Sequence, residues 1–194
     1  MSLNERAGEF IPEHRRMLLD VASAAIDRGL SAQGALPVVP QNYPEPLRQP
    51  RASFVTLRIG EKLRGCMGSL VATEPLVVNV ARNAFLAAFR DPRFTPLTRE
   101  EFPQLAIHLS LLSHPEPLAF ESEAHLLSLI RPGIDGLTLI EGSRRATLLP
   151  AVWESLSGPR EFLVHLKNKL GLAPDYWSAT IQVERYTAES VGEG

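Results

Sequence analysis

From Ala52 to Ile59 the chain alternates with a period of two, Val55, Leu57 and Ile59 against Phe54, Thr56 and Arg58. Leu63 to Met67 repeats the pattern after only Gly60-Glu61-Lys62. Runs that close pair as an antiparallel hairpin, because a parallel return needs a crossover of about a dozen residues. A two-residue turn puts Lys62, Arg64 and Cys66 on the apolar face with Leu57. A three-residue loop aligns Leu63, Gly65 and Met67 with Val55, Leu57 and Ile59 instead. A slip of one residue turns every side chain over, so burial selects the three-residue register. In that register Arg64 and Cys66 share the opposite face with Thr56 and Arg58, and Arg58 is the cross-strand neighbour of Arg64.

Helices surround this hairpin. Residues 13–28 carry an apolar stripe of Met17, Leu18, Val21, Ala22, Ala25 and Ile26, with Gly29 as the expected terminating glycine. Residues 31–51 hold Pro37, Pro40, Pro44, Pro46 and Pro50, too broken for a helix or central strand, and read as a surface crossing within one domain. Glu74-Pro75 opens a helix to about Arg90. Thr98 to Glu101 has the form of a capping box, and Leu105 to Leu112 alternates again. Ser122 caps a helix through Ile130. Leu137 to Ile140 and Arg145 to Leu149 form a second hairpin, and Val152 to Leu156 a short helix. Pro159 starts a helix ending at Gly171, and Thr180 to Tyr186 is the last strand. Hairpins mixed with helices, without regular strand–helix alternation, specify an α+β fold built on antiparallel pairing.

The 194 residues suffice for one full core, and a net charge of −2 gives no global pull toward nucleic acid or an acidic membrane. The single cysteine excludes an intramolecular disulfide. No apolar run is long enough to span a membrane, and Glu5, Arg6 and Glu9 do not suit a secretory signal, so the expected location is cytoplasmic. Met1-Ser2-Leu3 and Glu193-Gly194 are given no weight.

Leu63-Arg64-Gly65-Cys66-Met67-Gly68 resembles the six-residue hallmark of the AMMECR-one domain family, called protein A of the AmmeMemoRadiSam system in bacteria. The resemblance extends to Phe54-Val55-Thr56-Leu57, Asp91-Pro92-Arg93-Phe94 with Pro96-Leu97-Thr98, and Ser110-Leu111-Leu112-Ser113. It resumes at Arg131 to Gly136, Leu148-Leu149-Pro150 and Ala173 to Trp177, in family order. Met67 replaces the usual isoleucine, a volume-conserving swap, and Ala151 stands where many members have glutamine. The resemblance implies an α+β domain over 1–194 with antiparallel strands, flanking helices and a smaller lobe. It also implies association with a radical S-adenosylmethionine protein and a Memo-type protein. It delivers no settled reaction, and no cofactor is expected.

Two chemical readings of the hallmark stand side by side. In one, Cys66 is a nucleophile and needs a cation or base beside it. Arg64 and Arg58 would orient an anion, backbone amides from Gly65 through Met67 to Gly68 would hold charge, and His108 is the best placed base. In the other, the glycines mark close backbone packing, the cysteine is structural, and the loop is a binding surface for a protein or RNA. The spacing of Gly65 and Gly68 matches the loop of KH domains, but that loop joins two helices. Glu121 with His125 and Glu161 with His165 are helix-face pairs without a third ligand, so no metal site is expected. Lys167 and Lys169 read as a solvated helix face. Asp91-Pro92-Arg93-Phe94 reads either as part of the site or as an Asp/Arg clasp between helix and sheet.

Overall fold

The structure, a computed structural model, describes residues 10–31 and 34–192. The expectations placed on the first nine residues and on Glu193-Gly194 lie outside them. The fold is α+β, with two four-stranded sheets, and the chain divides into two compact units.

The first unit comprises Met1–Leu112 and Glu189–Gly194. Its helix α1 spans Pro12–Leu30, and a short α2, Glu45–Arg48, interrupts the proline-rich crossing and buries Leu47. Strands β1 (Ser53–Ile59) and β2 (Lys62–Gly68) form the expected hairpin, followed by α3 (Leu76–Phe89) and, after a 3₁₀ turn at Phe102–Gln104, β3 (Leu105–Leu112). Val55, Leu57, Ile107 and Leu109 join Leu18, Ile26, Val77 and Val80 in one core, so α1 and α3 cover one face of the sheet. Gly29 does not end α1. The helix runs on to Leu30, and a Cβ at Gly29 would lie 2.3 Å from the Phe89 ring, so the missing side chain admits α3 instead.

A hydrogen-bonded pin crosses this core. Asn79 and Asn83 are buried on α3, where Asn79 Oδ1 accepts from the Ser53 amide and hydroxyl and Asn83 Nδ2 donates to the Ser53 carbonyl. Buried amides without such partners would be costly; with them they fix the register of α3 on β1.

The second unit spans Ser113–Ala188. After β3 the chain continues through β4 (Glu116–Leu118), α4 (Glu123–Leu129), β5 (Gly136–Glu141), β6 (Arg144–Leu148), α5 (Pro159–Leu170) and β7 (Gln182–Tyr186). The sheet order is β4-β7-β5-β6, and every pair in it is antiparallel. Ser122 caps α4 by accepting the His125 amide, as its sequence position suggests. The solvated reading of Lys167 is corrected. Its side chain is 0% exposed, with Nζ donating to Glu123 Oε2 and the Pro174 carbonyl, both at 3.1 Å, and lying 5.6 Å from the Trp177 ring centroid. Periodicity places a lysine beside an apolar stripe on the surface; the α4 carboxylate and the Pro174–Trp177 segment that bury it come from elsewhere in the chain. Lys169 remains exposed.

The last described strand, β8 (Ala188–Gly192), completes the first sheet in the order β2-β1-β3-β8. Neither β4 nor β8 is legible in the sequence: one is three residues long, the other has no apolar alternation.

Candidate functional site

The hallmark lies on β2, an edge strand. Ile59 pairs with Lys62 and Arg58 with Leu63, which is a two-residue turn; Leu57 then pairs with Gly65, Thr56 with Cys66 and Val55 with Met67. The expected three-residue loop is therefore corrected to a two-residue turn, and the expected register holds only from Leu57 and Gly65 onward, after a bulge at Arg64. The extra residue restores burial of the Leu57 face after the tight turn has placed Lys62 opposite Ile59. Arg64 consequently has no cross-strand partner. Arg58 faces Leu63, is exposed, and donates from Nη1 to the Glu61 carbonyl at 3.0 Å, so the expected Arg58–Arg64 pairing is corrected.

Arg64 is turned to protein rather than solvent. Its Nε and Nη2 donate to the two carboxylate oxygens of Glu101 at 2.8 and 2.9 Å, and its side chain is 12% exposed. Glu101 Oε2 also accepts the Thr98 amide at 2.9 Å, one half of the expected capping box, but the 3₁₀ turn starts only at Phe102 and includes Pro103, so no helix is capped at Thr98. The Arg64 fork and then the Thr98 amide hold the Glu101 carboxyl down to about 2, and Glu101 in turn raises the pKa of Arg64. The third Arg64 nitrogen, Nη1, is buried without a hydrogen-bond partner, and the Phe94 ring centroid is 5.9 Å from Cζ.

Cys66 is half-buried, and its Sγ lies 3.3 Å from the Thr56 hydroxyl. Its amide donates to Asp91 Oδ2 at 2.9 Å, while Arg93 Nη2 approaches its carbonyl at 3.5 Å. Asp91 is 2% exposed and is also gripped by Arg93 through Nε and Nη2. The Arg93 guanidinium first, and the Cys66 amide after it, hold the Asp91 carboxyl far below the usual carboxylate range. Asp91 and Arg93 thus treat the edge of β2 as a neighbouring strand would, accepting its N–H and donating toward its C=O. Of the two readings of this motif, the clasp describes its geometry.

The hallmark glycines have separate reasons. A Cβ at Gly65 would lie 2.1 Å from the Ala87 carbonyl oxygen, so α3 sits directly on the strand. A Cβ at Gly68 would meet three consecutive atoms of the Phe54 ring at 2.1 to 2.6 Å. Met67 packs at the edge of the core. His108 pairs with Thr56 across β1 and β3, in the same lateral row as Cys66. Two strand spacings, about 10 Å, separate its backbone from that of Cys66. Its ring leans the other way: Nδ1 is 2.5 Å from the position a Cβ would take on Gly192 in β8. The residues that sequence reasoning did not connect to the site are Thr56 as thiol partner, Glu101, Asp91 as acceptor for Cys66, and Gly192. Only the Thr98–Glu101 box carried a local signal.

Among the described residues no group of three metal-ligating side chains exists, and no helix is long and apolar enough to cross a membrane. His125 Nδ1 accepts the Glu121 amide and Glu161 accepts from Ser157.

Comparison with known proteins converges. A protein of Methanothermobacter thermautotrophicus is 38% identical over 180 residues, covering 90% of this chain and 91% of its own. One from Thermotoga maritima is 36% identical over 152 residues, covering 77% and 82%. The crystal structure of an uncharacterized protein from Pyrococcus horikoshii superposes with a TM-score of 0.81 at 31% identity, over 94% of this chain and 93% of that one. The AMMECR1 family model matches residues 19–191, and the chain belongs to the AMMECR1 family.

Proposed function

We propose that this AMMECR1 domain is a binding module, with the Leu63–Gly68 hairpin and the adjoining half-buried face of the first sheet as its binding surface. The observation that carries this reading is that the groups a nucleophilic mechanism needs are already engaged. Arg64 is bound through two donors to Glu101, the Cys66 amide is held by Asp91, and the thiol meets only a hydroxyl. The cations nearest the thiol, Arg64 and Arg93, are each paired with a carboxylate, Glu101 and Asp91, so neither is free to hold a thiolate. Such a module would serve as one component of a larger system, alongside the radical S-adenosylmethionine protein and the Memo-type protein that the family resemblance implies.

A second reading is favoured by one observation, the shared row of Cys66, Thr56 and His108. If His108 turns from Gly192 toward Thr56, the hydroxyl can pass the thiol proton to the imidazole and Cys66 becomes a nucleophile. Alkylation of the native chain by iodoacetamide separates the two. The module reading expects Cys66 to react no faster at pH 7 than glutathione. A rate tenfold or more above glutathione, abolished by His108→Ala, would establish the nucleophile and overturn the module reading.

A further inference from the structure

The half-buried face of the β2-β1-β3-β8 sheet carries Phe54, Thr56 and Arg58 along β1, Cys66 and Gly68 along β2, and His108 and Ser110 along β3. We propose that this face is a stacking platform for a nucleobase, with Arg58 placed for the attached phosphate; the inference rests on the binding-module reading and names its ligand class.

The Phe54 ring supplies the platform. Its Cδ1, Cγ and Cε1 atoms lie at 2.1, 2.2 and 2.6 Å from the position of a Cβ on Gly68. Three adjacent ring atoms that close to one point place the point over the ring's face, not its edge. The ring therefore lies flat across the edge strand and turns its other face away from the sheet. Flat aromatic rings on an open antiparallel sheet are the means by which several nucleic-acid-binding folds hold unpaired bases.

Groups for a base edge surround the ring. Ser110 is the direct cross-strand neighbour of Phe54, and Thr56 and His108 form the next pair along the same face. His108 directs Nδ1 at Gly192, which leaves Nε2 as the ring nitrogen on the far side. Arg58 stands on the same face four residues beyond Phe54, about 13 Å along the strand, a span that an arginine side chain and a nucleotide cover between them. Arg93, 55% exposed, is a second cation at the hallmark's edge. The nearby carboxylates of Asp91 and Glu101 are held by Arg93 and Arg64, while Glu61 at the hairpin tip and Glu100 are exposed. A protein helix suits this face less well. It needs a continuous apolar stripe, and here Phe54 and Leu112 at one end are parted from Leu63, opposite Arg58, by Thr56, Cys66, His108 and Ser110.

The test titrates the full chain with AMP by calorimetry and with a fluorescein-labelled ten-residue oligouridylate by anisotropy, both at low salt. Binding is expected in at least one arm. Phe54→Leu should weaken it about tenfold, the loss of one stacked base. Arg58→Gln, on an exposed side chain that leaves the fold intact, should weaken it severalfold and lower the salt dependence by about one phosphate contact. Tighter binding of the oligouridylate assigns the base to a single strand, and equal or tighter binding of AMP assigns it to a free nucleotide. No binding in either arm overturns the proposal, as does binding that both variants leave unchanged. The alkylation rate of Cys66 is independent of either result, so the two readings fall separately.

Discussion

Arg64 and Glu101, 37 positions apart, meet in a two-bond fork in which the arginine of the family hallmark is an internal strut. Glu101 also takes the Thr98 amide, so one carboxylate ties the bulge of β2 to the segment that leads into β3. The hallmark arginine therefore shapes the edge of β2 while lying mostly buried, 12% exposed.

This strut has a pH signature. Glu101 is held down to about 2 in the folded chain, below its ordinary value near 4.5. A depressed carboxyl contributes stability above its unfolded pKa and loses it as pH falls through the folded value. The wild type should exceed Glu101→Gln by about 1–2 kcal/mol at pH 7, allowing for partial solvent screening. The difference should shrink between pH 4.5 and about 2. Urea unfolding of both proteins across that range measures it; a gap that stays constant would remove the ion pair as its source.

Gly65→Ala should be among the most damaging single-methyl additions in the first unit. The new Cβ would sit 2.1 Å from the backbone oxygen of Ala87, which cannot swing aside as a side chain can. Overpacking of this kind costs about 1–3 kcal/mol or more. Gly142→Ala, with φ of 60° and open space around it, should cost about 1 kcal/mol from backbone strain alone. Chemical denaturation of the two variants should rank them in that order.

Asp91→Asn replaces the acceptor of the Cys66 amide and the partner of Arg93. Because Arg93 is 55% exposed and can turn to water, the loss should be about 1–3 kcal/mol, less than for a fully buried pair. The specific readout is amide exchange: the Cys66 N–H should exchange faster in the variant, while the Val80 amide inside α3 follows only the change in global stability. An unchanged Cys66 rate, corrected for stability, would show that the clasp does not protect the edge.

Lys167 offers a contrast between volume and charge. Lys167→Ala removes a fully buried stem and should cost about 3 kcal/mol, through a cavity and lost contacts with Trp177. Lys167→Met fills the space and frees Glu123, itself 29% exposed, to turn to solvent, so it should cost at least 1 kcal/mol less. Thermal unfolding followed by Trp fluorescence measures both. Equal losses would show that the ion pair, not the packing, holds α5 in place.

Local patterns in the chain account for a good part of the fold. Alternation at Phe54–Ile59 and Leu105–Leu112 specifies two strands, the 3.6-residue stripes specify α1, α3 and α5, and Gly171 ends α5 with φ of 77°, as a C-terminal glycine should. These patterns are local because each is a statement about one element's buried face. The hallmark's place on the second strand of a hairpin, and its resemblance to the AMMECR family, were legible for the same reason. The chemistry of the site was not. The bulge that separates Arg58 from Arg64, the Glu101 fork, the Asp91 cap on Cys66 and the lean of His108 over Gly192 each join residues from distant parts of the chain. No period within one element encodes such a meeting. It exists only once α3 has settled on Gly65 and β8 has closed the sheet beside β3, because packing in three dimensions chooses which polar group each buried donor finds.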